Sequence, residues 1–366
     1  MKHRCFFFAF ILALAVIALA LSGCGSETDS KLIYIAVTGD RDEFSSMFDA
    51  GIKKAYEDVC EEYKDSGYKI VGAFFDDDND YEKAERITSK LLKTDSVTAI
   101  ISSNNYEIID NQVYQCDKYD KVLICPFGVK DKSADNSYWQ MTFSTAFSNY
   151  DVGYSMGKMA ESEKPGGNWV VCYDDSPVAR EKMQYLRRTK GINIIDIEEI
   201  SEVVADFRRE TDFWRAMDAD GIFIVTDSHR DFDFYYSIKD AFPDACIVTD
   251  SCLDNVSEWK SRPEYFSDII LSANFYTDYD EYSKQSDQWN DTWFVHGYNA
   301  FRMVVDTAIA ADSTKCEDIS GYLYDNGYEG KFESYRFNDK GLLDTDYLVS
   351  YKRKNGKTSA VKIKKQ

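Results

Sequence analysis

From Lys31 onward, short β-rich runs and segments of helical periodicity take turns along the chain, and this alternation constrains the fold more than any other feature. Leu32–Val37 reads as a strand. Phe44–Tyr63 reads as a helix with Phe48, Ile52, Ala55, Tyr56 and Val59 at three-to-four spacing. Strand Tyr68–Phe75 follows, then a helix from an Asp80 N-cap to Leu92, strand Val97–Ile101, helix Tyr106–Asp117 and strand Val122–Cys125, stopped by Pro126. After a loop over Phe127–Met141 the pattern restarts with helix Asn149–Glu161, strand Trp169–Tyr173, helix Pro177–Thr189 and strand Ile192–Ile197. Helix Phe207–Met217, strand Gly221–Thr226, helix Phe232–Ala241 and strand Cys246–Val248 complete that block. Strand Ile269–Asn274, a helix from Thr292 to Ala311 and two late β runs, Lys331–Phe337 and Tyr347–Lys352, close the chain. Strands that alternate with helices predict parallel sheets wrapped by helices, an α/β fold, and two such blocks predict two domains.

The 366 residues suit two domains, and 44% hydrophobics exclude wholesale disorder. With 43 Lys+Arg against 64 Asp+Glu the net charge is −21, which argues against nucleic acid as a partner, since phosphate binding needs a basic footprint. Three histidines (His3, His229, His296) are too scattered for a His-based metal centre.

The N-terminus carries a different message. Met1-Lys2-His3-Arg4 is a basic head, Cys5–Leu21 is an uncharged apolar run, and Leu21-Ser22-Gly23-Cys24 precedes a polar stretch. That is the secretory signature. The Cys after Leu-Ser-Gly resembles a bacterial lipobox, which implies cleavage after residue 23, a lipid on Cys24 (palmitate among the acyl groups) and a tether over 24–31. Loss of residues 1–23 removes two cations and no acid, giving a mature charge of −23. Acyl chains would hold this acidic body on the outer face of the cell membrane. The alternative is an uncleaved signal anchor, although the apolar run falls short of the roughly 20 residues that span a bilayer.

Seven other cysteines remain in the mature chain, an odd number without a CxxC. Cys125, Cys172 and Cys246 lie in or beside apolar runs and read as small hydrophobes, with a Cys246–Cys252 pairing as the alternative for the last. The acidic run Asp76–Asp80 fails as an EF-hand, because Tyr81 and Ile87 stand where the loop needs Gly and Glu. It reads instead as a solvated loop ended by a cap. No GxGxxG, P-loop, GxSxG or HExxH is present, so no metal, cofactor or enzymatic activity is expected.

In open α/β sheets ligands sit beyond the carboxyl ends of strands. Those ends read Thr38-Gly39-Asp40, Ser102–Tyr106, Phe127-Gly128-Val129, Tyr173–Ser176, Thr226-Asp227-Ser228 and Thr249-Asp250-Ser251. Hydroxyls, amides, acids and aromatics dominate, as recognition of a small polar ligand requires. The competing reading is that these residues simply cap helices.

The mature chain resembles the type I periplasmic, solute-binding proteins of the branched-chain amino acid class, the receptors of ABC importers. Five stretches carry the likeness. They are Ile35–Gly39 with Gly51–Ala55; Asp76–Asp80 with Lys83-Ala84, Leu91-Leu92 and Val97–Ser102; Val122–Pro126 with Phe143–Ser148 and Gly153; Val170–Ser176; and Tyr335–Gly341 with Tyr347–Val349 and Asn355–Lys357. The resemblance implies two Rossmann-like lobes joined by a three-crossover hinge, with lobe 1 from 32–142 plus 278–326 and lobe 2 from 143–277 plus 327–366. Crossovers are expected near Met141–Thr145, Phe275–Asp278 and Asn326–Phe332. It further implies a monomer without catalysis that closes on ligand and is read by a membrane permease or, alternatively, by a sensory partner.

In the family a Ser after the third strand and an Ala-Thr pair after the fourth hold the ligand carboxylate. Here Asn105 or Tyr106 and Gly128-Val129 stand there, and Pro177-Val178 replaces a stacking Tyr. Asp250 matches the acid that pairs with the ligand ammonium. The amine half of an amino-acid site is therefore kept and the carboxylate half altered. Expected ligand residues are Ser103, Asn105, Tyr106, Phe127, Gly128, Tyr150, Asp227, Asp250 and Trp293, with Asp250 solvated when the cleft is empty and Tyr106 and Phe127 forming an apolar wall.

Overall fold

A computed structural model describes residues 31–41, 45–129, 140–174, 176–199, 207–226, 232–250, 253, 256–272, 292–330 and 333–365. Cys24, Asp227 and the crossover expected near Phe275–Asp278 lie outside the described residues. Two sheets organise the chain. The first is five-stranded and wholly parallel, in the order β2 (Tyr68–Asp76), β1 (Lys31–Gly39), β3 (Ala99–Ser102), β4 (Val122–Cys125), β5 (Thr142–Ser144). β1, β3 and β4, buried on both faces, read as near-continuous apolar runs, as parallel strands do, whereas the edge strand β2 is half-exposed. One face packs on α2 (Tyr81–Leu92) and α3 (Tyr106–Lys118) through Leu91, Leu92, Ile109 and Val113. The other packs on α1 (Ser45–Glu62), α9 (Thr292–Ala310) and α10 (Cys316–Asn326).

The second sheet runs β7 (Asn193–Glu199), β6 (Asn168–Tyr173), β8 (Gly221–Val225), β9 (Cys246–Asp250), β10 (Asp268–Ser272), β13 (Tyr347–Lys354), β14 (Lys357–Lys364). Its first five strands are parallel, whereas β13 and β14 join antiparallel at one edge. Helices α4 (Asn149–Glu163) and α5 (Pro177–Leu186) cover one face. Helices α6 (Arg208–Ala216), α7 (Phe232–Ala241) and α8 (Val256–Ser261) cover the other.

Two helix crossings are set by glycine. A Cβ on Gly297 would stand 2.2 Å from the Phe48 carbonyl oxygen, and one on Gly51 would collide with the Phe294 carbonyl, so α1 and α9 touch backbone to backbone. Gly153 likewise brings α4 onto α5, where a Cβ would lie 2.3 Å from the Lys182 carbonyl oxygen.

The chain passes between the two sheets three times: after β5, between β10 and α9, and after α10. The short ribbon of β11 (Tyr328–Glu329) and β12 (Ser334–Tyr335) was expected with the second lobe. Its Tyr328 and Tyr335, with Phe337, instead pack in the core of the first, so the third passage falls later in the chain than the expected Asn326–Phe332. There Gly341 lies against β5, its carbonyl accepting from Ser144 N at 2.8 Å, which puts the first and third passages side by side.

Candidate functional site: the interlobe cleft

On the first lobe the strand ends are locked by a buried polar network. Thr38 Oγ1 accepts from Asn104 Nδ2 at 3.3 Å and from Gln112 Nε2 at 3.2 Å, and Ser102 Oγ donates to Gln112 Oε1 at 2.6 Å. Ser103 is tied down by its backbone N–H and its hydroxyl, both donating to the Thr38 carbonyl. Gly39, at φ +146°, permits that approach, since a Cβ there would stand 2.2 Å from Ser103 Oγ. Asn105 is spent locally: its side chain caps α3 by accepting from Ile108 N at 3.1 Å. Asp80 caps α2 in the same way, as the sequence predicts, accepting from Lys83 N at 2.7 Å.

Beyond β4, the Phe127 ring lies tilted against Trp293 with centroids 4.1 Å apart and against Phe48 at 5.2 Å. Gly128 follows at φ +108°, a conformation that favours glycine. His296, one turn along α9 from Trp293, lies edge-on to Phe127 and is fully buried. Burial pushes its imidazole down to about 3, so it is neutral at physiological pH. The result is an apolar aromatic wall beside a hydroxyl- and amide-rich one.

Near the β1 and β2 ends, Arg41 donates to Asp49 at 2.8 Å and to the Val37 carbonyl at 3.1 Å. Asp77 is buried, which raises its carboxyl above the usual range, while the Asn104 amide, the Asn79 N–H and Arg41 pull the other way.

The second-lobe wall departs from expectation at Asp250. It ends β9 with no exposed surface and forms an ion pair with Lys182 of α5 at 2.7 Å, the lysine being 3% exposed. A solvated acid is not what stands there. Lys182 falls on the buried stripe of α5 with Val178, Ala179 and Leu186. A lysine in an apolar stripe needs a buried acid as partner, and that was the signal available in the sequence. Asp174 accepts from the Ser176 N–H and hydroxyl, and Ser176 caps α5.

Tyr106, at the start of α3, donates its hydroxyl to Glu181 Oε2 of α5 at 2.9 Å, and Asn149 Nδ2 donates to the same oxygen at 2.8 Å. Sequence reasoning found Tyr106 but not Glu181, whose mid-helix position looks solvated. Tyr150 is 37% exposed, and its ring neighbours are Tyr185 and Tyr154 rather than the Phe127–Trp293 pair. Ser103, Phe127, Gly128 and Trp293 thus gather at the first lobe, while Tyr150 and Asp250 are engaged within the second. Among the described residues no cluster of His, Cys, Asp or Glu could hold a metal ion.

The chain is thus built as two α/β lobes joined by three connections. The periplasmic binding protein family matches residues 33–349, and the chain belongs to it. Similar solved structures include the ABC transporter substrate-binding protein of Desulfitobacterium hafniense in complex with Leu, at 18% identity and TM-score 0.74 over 90% of this chain and all of that one. The branched-chain amino acid transporter substrate-binding protein LivJ of Streptococcus pneumoniae, with isoleucine, gives 17% and 0.74 over 92% of this chain and all of that one. A solute-binding protein of R. palustris in complex with benzoate gives 13% and 0.74 over 92% and 98%. No curated protein matches the sequence.

Proposed function

We propose that this chain is an extracytoplasmic solute-binding lipoprotein, anchored through Cys24, that captures a small polar ligand between its lobes and presents it to an ABC importer without chemical change. Family membership supports solute binding outside the cytoplasm. The observation that carries the cleft reading is the Tyr106–Glu181 hydrogen bond, which joins α3 of one lobe to α5 of the other at the strand-end side of the first sheet. In this reading Phe127, Trp293 and Tyr106 give the ligand an apolar side, and Ser103 and the Gly128 backbone a polar one. Asp250 and Lys182 support the opposite wall as a neutral pair. Ligands of the structural relatives (Leu, isoleucine, benzoate) make amino acids and small carboxylates the first compounds to try.

A thermal-shift screen of the mature protein against amino acids, aromatic carboxylates, sugars and nucleosides tests this. A ligand at 100 times its dissociation constant stabilises by about 2.7 kcal/mol, a readily visible shift. No shift with any of them, or turnover of a bound compound, overturns the reading. Mass spectrometry of the mature N-terminus tests the anchor separately, and an unmodified Cys24 there rules it out.

A further inference from the structure

The acid excess of this protein stops abruptly near its C-terminus. Residues 347–366 carry seven Lys and Arg and no Asp or Glu, in a chain whose net charge is −21. They fold as the β13–β14 hairpin, closed by Asn355 at φ +50° and Gly356 at φ +73°. Three of the cations are used internally. Lys352 meets Glu163 at 2.7 Å, Lys365 meets Asp151 at 2.9 Å, and Arg353 donates to the Phe266 carbonyl and lies over Trp259.

The other four, Lys354, Lys357, Lys362 and Lys364, are exposed and have no ion-pair partner among the described residues. Lys354 stands directly opposite Lys357 in the β13–β14 register, an arrangement of like charges that destabilises a hairpin. Val361 and Ile363 face the core of the second lobe, which turns Lys362 and Lys364 to the opposite face of the strand. β14 is also the last strand of its sheet, eight residues long and paired on one side only among the described residues. A strand edge of that length offers a row of backbone donors and acceptors.

We propose that the β14 edge docks an extended acidic segment of a partner protein as an added strand. Backbone hydrogen bonds would supply the pairing, and alternate acidic side chains would meet Lys362 and Lys364 on one face of β14, with Lys354 and Lys357 adding positive charge at its hairpin end. A second copy of this chain fits badly, because β14 against β14 sets lysine against lysine. An anionic bilayer matches the charge but has no use for a strand edge.

The experiment is fluorescence anisotropy of the mature protein with a labelled peptide alternating Glu and Val, together with hydrogen exchange on β14. Expected is salt-sensitive binding that slows exchange along β14 and weakens about tenfold or more on charge reversal. The variants are Lys354→Glu, Lys357→Glu, Lys362→Glu and Lys364→Glu combined. Should that combination fail to fold, the Lys362→Glu, Lys364→Glu pair reads the same loss. Three results overturn the proposal: equal binding of a D-residue peptide of the same composition, which leaves charge alone; capture by phosphatidylglycerol vesicles that the peptide does not displace; or self-association of the variants with peptide binding unchanged, which leaves the lysines as guards of an open edge.

Discussion

Tyr106 and Glu181 stand on different lobes, and the tyrosine hydroxyl donates to the carboxylate at 2.9 Å. Removing that hydroxyl deletes one contact between the lobes and leaves Glu181 bound to Asn149. Tyr106→Phe should therefore favour the open arrangement by about 1 kcal/mol, the net worth of an ordinary hydrogen bond, and weaken ligand roughly fivefold. Calorimetric titration and small-angle scattering read the two effects. Unchanged affinity with an unchanged radius of gyration would show that the contact does not bias closure.

The Lys182–Asp250 pair gives a sharper prediction. Breaking a buried ion pair by removing one member leaves an uncompensated charge and typically costs about 3–5 kcal/mol. Asp250→Ala and Lys182→Met should each lower the denaturant midpoint strongly, while Lys182→Met with Asp250→Leu should recover much of the loss. If Asp250→Ala instead keeps wild-type stability and loses ligand, Asp250 is a binding acid after all.

His296 makes stability depend on pH. Its folded pKa of about 3 lies below the unfolded value of about 6.5, so the unfolded chain takes up the proton first. Stability is full above pH 6.5 and falls as pH drops toward 3. By pH 5 the loss is about 2 kcal/mol. Asp49 and Asp77, raised by burial, act with the opposite sign, so the comparison that counts is wild type against His296→Gln. Parallel stability–pH curves for the two proteins would refute this assignment.

Gly297→Ala should cost about 1–3 kcal/mol, since its Cβ would push α9 away from Phe48 and with it Trp293 from Phe127. Chemical denaturation followed by tryptophan fluorescence measures both. A variant as stable as wild type with unshifted emission would mean that the crossing tolerates a methyl group.

Much of this architecture was legible before any coordinates. Helices with a clear apolar stripe and a side-chain cap, such as α2 after Asp80, fall where periodicity puts them. What escaped was whatever carries little local signal. β5 is three residues long, and α10 follows Lys315, which offers no side-chain cap. β14 had a signal, the Asn355-Gly356 turn, but its three lysines and its Thr-Ser-Ala run hide a strand behind a polar tail. At the cleft, Phe127 and Trp293 could be picked out individually because strand ends and aromatics are visible in sequence. Their contact could not, because it depends on α1 and α9 meeting through Gly51 and Gly297, far apart in the chain. Glu181 and Lys182 are adjacent, yet one reaches across the lobes and the other into the core, a division that only the seating of α5 against α4 decides.

The core of the first lobe joins Ile33, Ile35 and Val37 to Phe294, Val304 and Ala308, and then to Tyr328 and Phe337. A polypeptide growing from its N-terminus cannot close that core until its last quarter has been made. Through most of synthesis the early strands lack the helix that seals them. Interleaving the lobes thus postpones the locking of the first until the chain is nearly complete.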